Sequence, residues 1–205
     1  STDIVNTELM GNYILRYNSV DSSANTSKEV FRNVRVVSGE EIYAIKNLTF
    51  EETDSNVKVI DCKKSVFGAL NIPKTYNGKP VTTIEQHAFE DCNNLASVIL
   101  PDGIKTIGTA AFGKCINLTS VTIPDSVTSI SNWAFYECAH LKSVSIGSGV
   151  TSIGSYAFSL CYRLKNLTIG SSVTSIGQFA FARCFSLTSI SIPESVNSIG
   201  YLTFN

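Results

Sequence analysis

One interval, 23 residues, governs most of this chain. Phe89, Phe112, Phe135, Phe158, Phe181 and Phe204 recur at that spacing, and Ala88, Ala111, Ala134, Ala157 and Ala180 precede the first five. Cys92, Cys115, Cys138, Cys161 and Cys184 keep the same step, and three residues after each comes Leu95, Leu118, Leu141, Leu164 or Leu187. Val98, Val121, Val144, Leu167 and Ile190 follow in register, and so do Ile107, Ile130, Ile153, Ile176 and Ile199. A period in this range marks an array of structural units, none of which can bury its apolar face alone. The chain must therefore stack these units into a continuous core.

Each unit reads as two or three short pieces. In residues 109–118, Ala111, Phe112, Cys115 and Leu118 fall at i, i+1, i+4 and i+7, which predicts one face of a short helix. In residues 120–123, Val121 and Ile123 alternate with Ser120 and Thr122, the period of a half-buried strand. Pro101, Pro124 and Pro193, replaced by Gly147 and Gly170 in the other units, end that strand. A second extended piece, residues 127–130, returns the chain, and Gly108, Gly154, Gly177 and Gly200 mark a tight corner where Ser131 is the exception. The expected fold is an α/β repeat: a right-handed leucine-rich-repeat solenoid of about six coils, with a short strand plus a short helix per 23-residue coil.

The boundaries follow from where the register begins. Residues 42–205 are read as the solenoid, with an irregular lead-in over 42–87 and regular repeats over 88–205. In the lead-in, Leu70, Ile72 and Pro73 match the strand and its stop only with five residues inserted within 74–79, so Asn77-Gly78 should form a protruding turn. Alternation at Ile42, Ala44, Leu48, Phe50, Val57 and Val59 reads as short β structure. Residues 1–41 carry no repeat and are read as an N-terminal β-rich cap, with strands over 13–17 and 30–37 flanking the polar run 21–28. The other end, Phe204-Asn205, stops in mid-unit, as a partial array would.

Composition narrows the function classes. A formal net charge of -1 over 205 residues gives no electrostatic drive toward nucleic acid or acidic membranes. No apolar stretch approaches the roughly 20 residues that span a bilayer. Residues 1–12 lack the basic start and apolar centre of a signal peptide, as in a cytosolic protein or a mature form. The five periodic cysteines fill one slot in successive units and are expected as free, buried thiols, and Cys62 lies outside the series with no evident partner.

The unit over residues 118–138, Leu-Thr-Ser-Val-Thr-Ile-Pro-Asp-Ser-Val-Thr-Ser-Ile-Ser-Asn-Trp-Ala-Phe-Tyr-Glu-Cys, resembles the BspA-type leucine-rich repeats. The segment Asn71-Ile72-Pro73-Lys74-Thr75-Tyr76-Asn77-Gly78-Lys79-Pro80-Val81 is similar to the irregular lead-in of that family. The resemblance covers about residues 42–205. It implies secretion or display on a cell surface, in a family found in bacterial surface proteins and in surface antigens of some mucosal protists. Several members are adhesins that bind host matrix proteins or other cells. The resemblance implies no catalytic residues.

A direct search for chemistry agrees. The chain holds no His-Glu-x-x-His, no Gly-x-Ser-x-Gly and no phosphate-binding Gly-rich loop, and His87 and His140 fall off the apolar face. No enzyme activity, cofactor or metal is expected. Variation among units is more informative. The residue before each Ala runs His87, Ala110, Trp133, Tyr156, Phe179, and the residue after each Cys runs Asn93, Ile116, Ala139, Tyr162, Phe185. Stacking would set Trp133, Tyr156 and Phe179 side by side at about 5 Å per step. Together with Tyr136, Tyr162 and Phe185 they are the candidate binding residues. Such a row suits a protein ligand, a host extracellular-matrix protein for example, or a glycan. The alternative is that these side chains fold down over the layer beneath, leaving a passive spacer. The outward strand residues, Ser120, Thr122, Ser143, Ser145, Asn166, Thr168, Ser189 and Ser191, lack aromatic or Arg anchors and read as solvated surface.

Overall fold

Alternation of β-branched and hydroxyl residues becomes paired strands wherever one face has a core to fill. The computed structural model describes residues 11–20, 26–36 and 38–205, in two units divided between residues 42 and 43. The first holds β1 (Gly11–Val20) and β2 (Thr26–Val36), an antiparallel pair in which Gly11 faces Val36 and Asn18 faces Glu29. The expected strand over 13–17 lies inside this pair, and so does that over 30–37 as far as residue 36. Residues 1–10, 21–25 and 37 fall outside the description, and with them most of the expected polar run.

Next come α1 (Gly39–Asn47), β3 (Leu48–Glu52), β4 (Val57–Cys62), β5 (Gly68–Asn71), β6 (Thr75–Tyr76) and β7 (Lys79–Ile84). The reading of Ile42 and Ala44 as β structure is corrected, since both belong to α1. The overlooked signal is Ser38 with Glu41: the Ser38 hydroxyl accepts the Glu41 N–H at 3.1 Å, an N-cap that commits the chain to a helical turn. Asn77 and Gly78 form the expected turn between β6 and β7, both with positive φ (50° and 80°), as a tight two-residue hairpin demands.

Beyond residue 84 each coil adds one parallel strand to each of two sheets, except the last, which adds to one of them alone. One sheet runs β5, β8 (Leu95–Ile99), β10 (Ser120–Ile123), β12 (Ser143–Ile146), β14 (Asn166–Thr168). The other runs β3, β4, β7, β9 (Thr106–Ile107), β11 (Ser129–Ile130), β13 (Ser152–Ile153), β15 (Ser175–Ile176), β16 (Ser198–Ile199). Register keeps the repeat: Val121 faces Val144, and Ile130 faces Ile153. Val121, Ile123, Val144 and Ile146 point inward and are buried, while Ser120, Thr122 and Ser145 are exposed.

The third side of each coil is not the predicted short helix. Residues 109–118 and their equivalents form successive turns, and α1 is the one α-helix among the described residues. The backbone hydrogen bonds show why. Trp133, Phe135 and Glu137 donate their N–H groups to Ser155, Ala157 and Ser159 of the next coil at 2.9, 2.7 and 2.8 Å. The intervening Ala134, Tyr136 and Cys138 donate three residues back within their own coil. A helix needs every N–H for its own i−4 carbonyl, so spending alternate donors on the neighbouring coil excludes it. The residues four apart, Trp133 and Glu137, take positive φ (55° and 57°) to swing their N–H groups outward.

The core lies between the two sheets and this ladder. Phe89, Phe112, Phe135, Phe158 and Phe181 are fully buried and stack ring on ring, with centroids 4.6 to 5.4 Å apart and interplanar angles of 13° or less. The periodic cysteines are buried free thiols, as expected. Four of them donate S–H to the phenylalanine carbonyl one coil back: Cys115 to Phe89 and Cys138 to Phe112, both at 3.1 Å, and Cys161 to Phe135 and Cys184 to Phe158, both at 3.3 Å. Burial pushes the Cys115, Cys138 and Cys161 thiols well above their ordinary value, and that of Cys184 up to about 12.

Candidate binding surface

The outward aromatics owe their position to the backbone just described. Trp133, Tyr156 and Phe179 each occupy the first positive-φ residue of a turn segment (55°, 57° and 55°). Each hands its N–H to the next coil, at Ser155, Gln178 and Tyr201 respectively. The following alanines, Ala134, Ala157 and Ala180, go wholly into the core, so the preceding side chain is turned to the surface. The intercoil step then sets ring beside ring. Trp133 and Tyr156 stack at 5.6 Å and 10°, and Tyr156 and Phe179 at 4.9 Å and 14°. Tyr201 closes the row, its ring edge-on to Phe179 at 5.8 Å and 85°.

The row is half open. Trp133 is 40% exposed and Tyr156 and Phe179 are partly buried. With ring faces used against one another, the rings present mainly edges to solvent. Tyr136, Tyr156 and Phe179 converge with Ser159, Leu160, Ala182 and Arg183 on one depression of about 370 Å³. Tyr162 and Phe185 form a separate stack, 5.8 Å apart at 18°. Phe185, 73% exposed, instead lines a hollow of about 310 Å³ with Phe204, Leu187 and Ile190. The six candidate residues therefore divide into two groups, four around the row and two beside the last coil.

Two residues escaped the sequence reading. Tyr201, 70% exposed, sits one position before the row, where Gln86, Thr109, Asn132, Ser155 and Gln178 are polar. An aromatic departure from a polar position was its signal. Ile99 is 59% exposed on the strand face, where later coils carry Thr122 and Ser145. It lines a groove of about 520 Å³ with Ser97, Ser120, Thr122, Asp102 and Asp125. Asp125 is not free there: its Oδ1 accepts the Ser148 N–H at 2.6 Å, which holds the carboxyl below its usual range. His87 and His140 lie on the surface, with Nδ1 against Glu90 at 2.8 Å and Asn117 at 3.1 Å. No group of three or more His, Cys, Asp or Glu side chains is placed to hold a metal ion among the described residues. No described helix is long and apolar enough to cross a membrane.

The coil geometry has counterparts among solved structures. A leucine rich repeat protein of T. pallidum is 25% identical over 76% of this chain and 84% of its own, with a TM-score of 0.61. A leucine rich cell surface protein from Faecalibacterium prausnitzii A2-165 is 30% identical over 77% of this chain and 50% of its own, with a TM-score of 0.56. A leucine-rich repeat protein from Eubacterium ventriosum ATCC 27560, at 19% identity and a TM-score of 0.63, matches 78% of this chain and 49% of its own and shares the fold. This chain spans about half the length of the last two proteins. No curated protein matches it. The BspA type leucine rich repeat region matches residues 82–205 in six copies, the same residues whose 23-residue register builds both sheets and the phenylalanine stack. The chain belongs to the BspA-type leucine-rich-repeat family.

Proposed function

We propose that this protein is an extracellular or cell-surface binding module that recognises a protein, a host matrix protein or a protein of a neighbouring cell, through the row Trp133, Tyr156 and Phe179 with Tyr136. The observation that carries this reading is the stack itself. Three large rings are held side by side and partly open to solvent, and two of them, Tyr156 and Phe179, border a depression that also contains Tyr136 and Arg183. Aromatic side chains on a rigid backbone bury large area with little rotamer entropy left to lose, and Arg adds directed hydrogen bonds, so both are enriched among the residues that carry interface energy. The repeat family and the description of the F. prausnitzii relative as a cell surface protein support the location. In the same reading residues 1–41 are the cap and 42–205 the recognition solenoid.

A glycan is the second reading. Sugar rings stack on aromatic faces, and the side of Trp133 turned away from Tyr156 borders coil position 110, an alanine. One such face suits a single sugar contact, whereas the edges of the whole row suit a protein surface. That contrast favours the protein ligand.

The test compares the native chain with a W133A/Y156A/F179A variant in binding to extracellular-matrix proteins and to a glycan array. Alanine is tolerated at this position, since Ala110 occupies it in an earlier coil with φ 51°, so the variant keeps its backbone. Saturable protein binding lost in the variant supports the row as the site, with a fall of at least about a hundredfold expected from removing three anchors. Glycan binding lost in the same way supports the second reading. Protein binding that survives the triple change moves the site off the row, and a chain inert in both assays leaves a spacer.

A further inference from the structure

The thiol outside the repeat has a partner after all. Cys62, at the end of β4, and Cys92, the first of the periodic series, are both buried and free. Cys92 does not make the bond its successors make. Cys115, Cys138, Cys161 and Cys184 each donate to a phenylalanine carbonyl 26 residues back, but 26 residues before Cys92 stands Val66 of the lead-in. Its sulfur turns instead to the Cys62 carbonyl, at a long 3.9 Å, and the two thiols lie within hydrogen-bonding reach of each other. The later cysteines are pinned singly, each to a backbone oxygen. This pair has only longer contacts of that kind, Cys62 to the Lys63 carbonyl at 3.7 Å and Cys92 to the Cys62 carbonyl at 3.9 Å, with each thiol beside the other.

We propose that Cys62 and Cys92 are a cross-linking site: an external disulfide converts them to a covalent bond that staples the lead-in to the first regular coil. The four later thiols stay reduced. The local chemistry favours the first step. The S–H of Cys62 stabilises a Cys92 thiolate and holds the Cys92 thiol below its ordinary value, with help from the nearby Lys64 ammonium and against the burial that opposes any charge. Cys62, next to that thiolate, is pushed up. Cys92 is therefore the attacking sulfur. Its thiolate attacks one sulfur of the external disulfide and expels the other half as a thiolate. Cys62, losing its proton to water, then attacks the Cys92 sulfur of the mixed disulfide and expels the second half. The protein loses two thiol protons and two electrons, and the external disulfide is reduced to two thiols. Both sulfurs are sealed from solvent, so the exchange takes place while the lead-in closes during folding. Lys64, whose ammonium donates to the Glu90 carbonyl, ties the same two segments together before the bond forms.

The full chain is refolded from its reduced, denatured state in a mixture of reduced and oxidised glutathione. Molecules with native circular dichroism are then denatured, alkylated with a maleimide and weighed. Two of the six cysteines consumed leaves four alkylated, and peptide mapping recovers Cys62 joined to Cys92. Adding reductant to the folded, oxidised chain lowers its thermal midpoint by on the order of 10 °C, as expected on opening a loop of about thirty residues. C62S and C92S each leave five alkylated thiols after the same refolding, and their midpoints ignore reductant. Six alkylated cysteines in natively folded wild-type chain overturn the proposal, as does a bridge mapped to any other pair. The wild-type result stands even where a serine variant fails to fold.

Discussion

At the scale of the residue, phenylalanine is the side chain on which this fold most depends. Phe135 has a ring stacked on each face, from Phe112 and Phe158, and no exposed surface. Phe135→Ala should destabilise the chain by about 3–5 kcal/mol, because neighbours held by strand register on both sides cannot collapse into the cavity. Phe204 has a ring on one face only and is 44% exposed. Phe204→Ala should cost clearly less, roughly 1–2 kcal/mol. Chemical denaturation of both variants checks the ratio, and equal losses would contradict a ladder whose energy comes from two-sided stacking. Asp125 makes a second prediction. Its carboxylate is favoured in the folded state by the Ser148 N–H, so its contribution is present above the ordinary aspartate value, about 4, and is lost as pH falls through the lower folded value. Thermal midpoints of the native chain and Asp125→Asn should therefore differ near pH 7 and converge as the pH is taken below the lowered folded value.

At the scale of the element, the turn segment replaces the helix that apolar spacing predicts. Ala111, Phe112, Cys115 and Leu118 do share one side, and all are buried as expected. The spacing identified the buried face correctly and the backbone wrongly. A lone segment of about ten residues is too short to hold a helix by its own bonds, whereas neighbouring coils offer carbonyls at the right step for every second N–H. Close approach of those coils also explains the glycine at the corner. A Cβ on Gly154 would meet the Asn132 nitrogen at 2.5 Å and the Ser131 carbonyl carbon at 2.6 Å. Gly154→Ala should push coils apart and cost about 1–3 kcal/mol. The same change at Gly39, where nothing lies within 4 Å, should be nearly neutral in the same thermal melts.

At the scale of the whole molecule, stability is a sum of coils and of the contacts between neighbours. Burial is complete in the middle of the array and thins in residues 187–205, where Leu187, Ile190, Ile192 and Val196 are only partly buried and Ile199 is exposed. Amide hydrogens of β10 to β13 should exchange at least about tenfold more slowly than those of residues 198–205, read by mass spectrometry. Uniform protection along the array would mean that the coils open together and not from the end. The aromatic row spans three successive coils at positions 133, 156 and 179, so fraying at its far end would weaken the depression that contains Arg183 before it disturbs Trp133.

Periodicity alone determined the solenoid, its 23-residue coil, the inward residues of the strands in the middle coils and the side-by-side placement of Trp133, Tyr156 and Phe179. These follow because a fixed step in sequence becomes a fixed step in space once coils stack. Other features depended on bonds between residues far apart in the chain. Only the tertiary structure showed that alternate N–H groups leave their own coil, which turns a helical pattern into a ladder of turns. Only it divided the six candidate aromatics into two groups and added Tyr201 to the row. And only it brought Cys62 to Cys92, because the lead-in breaks the register by which every other cysteine could be placed.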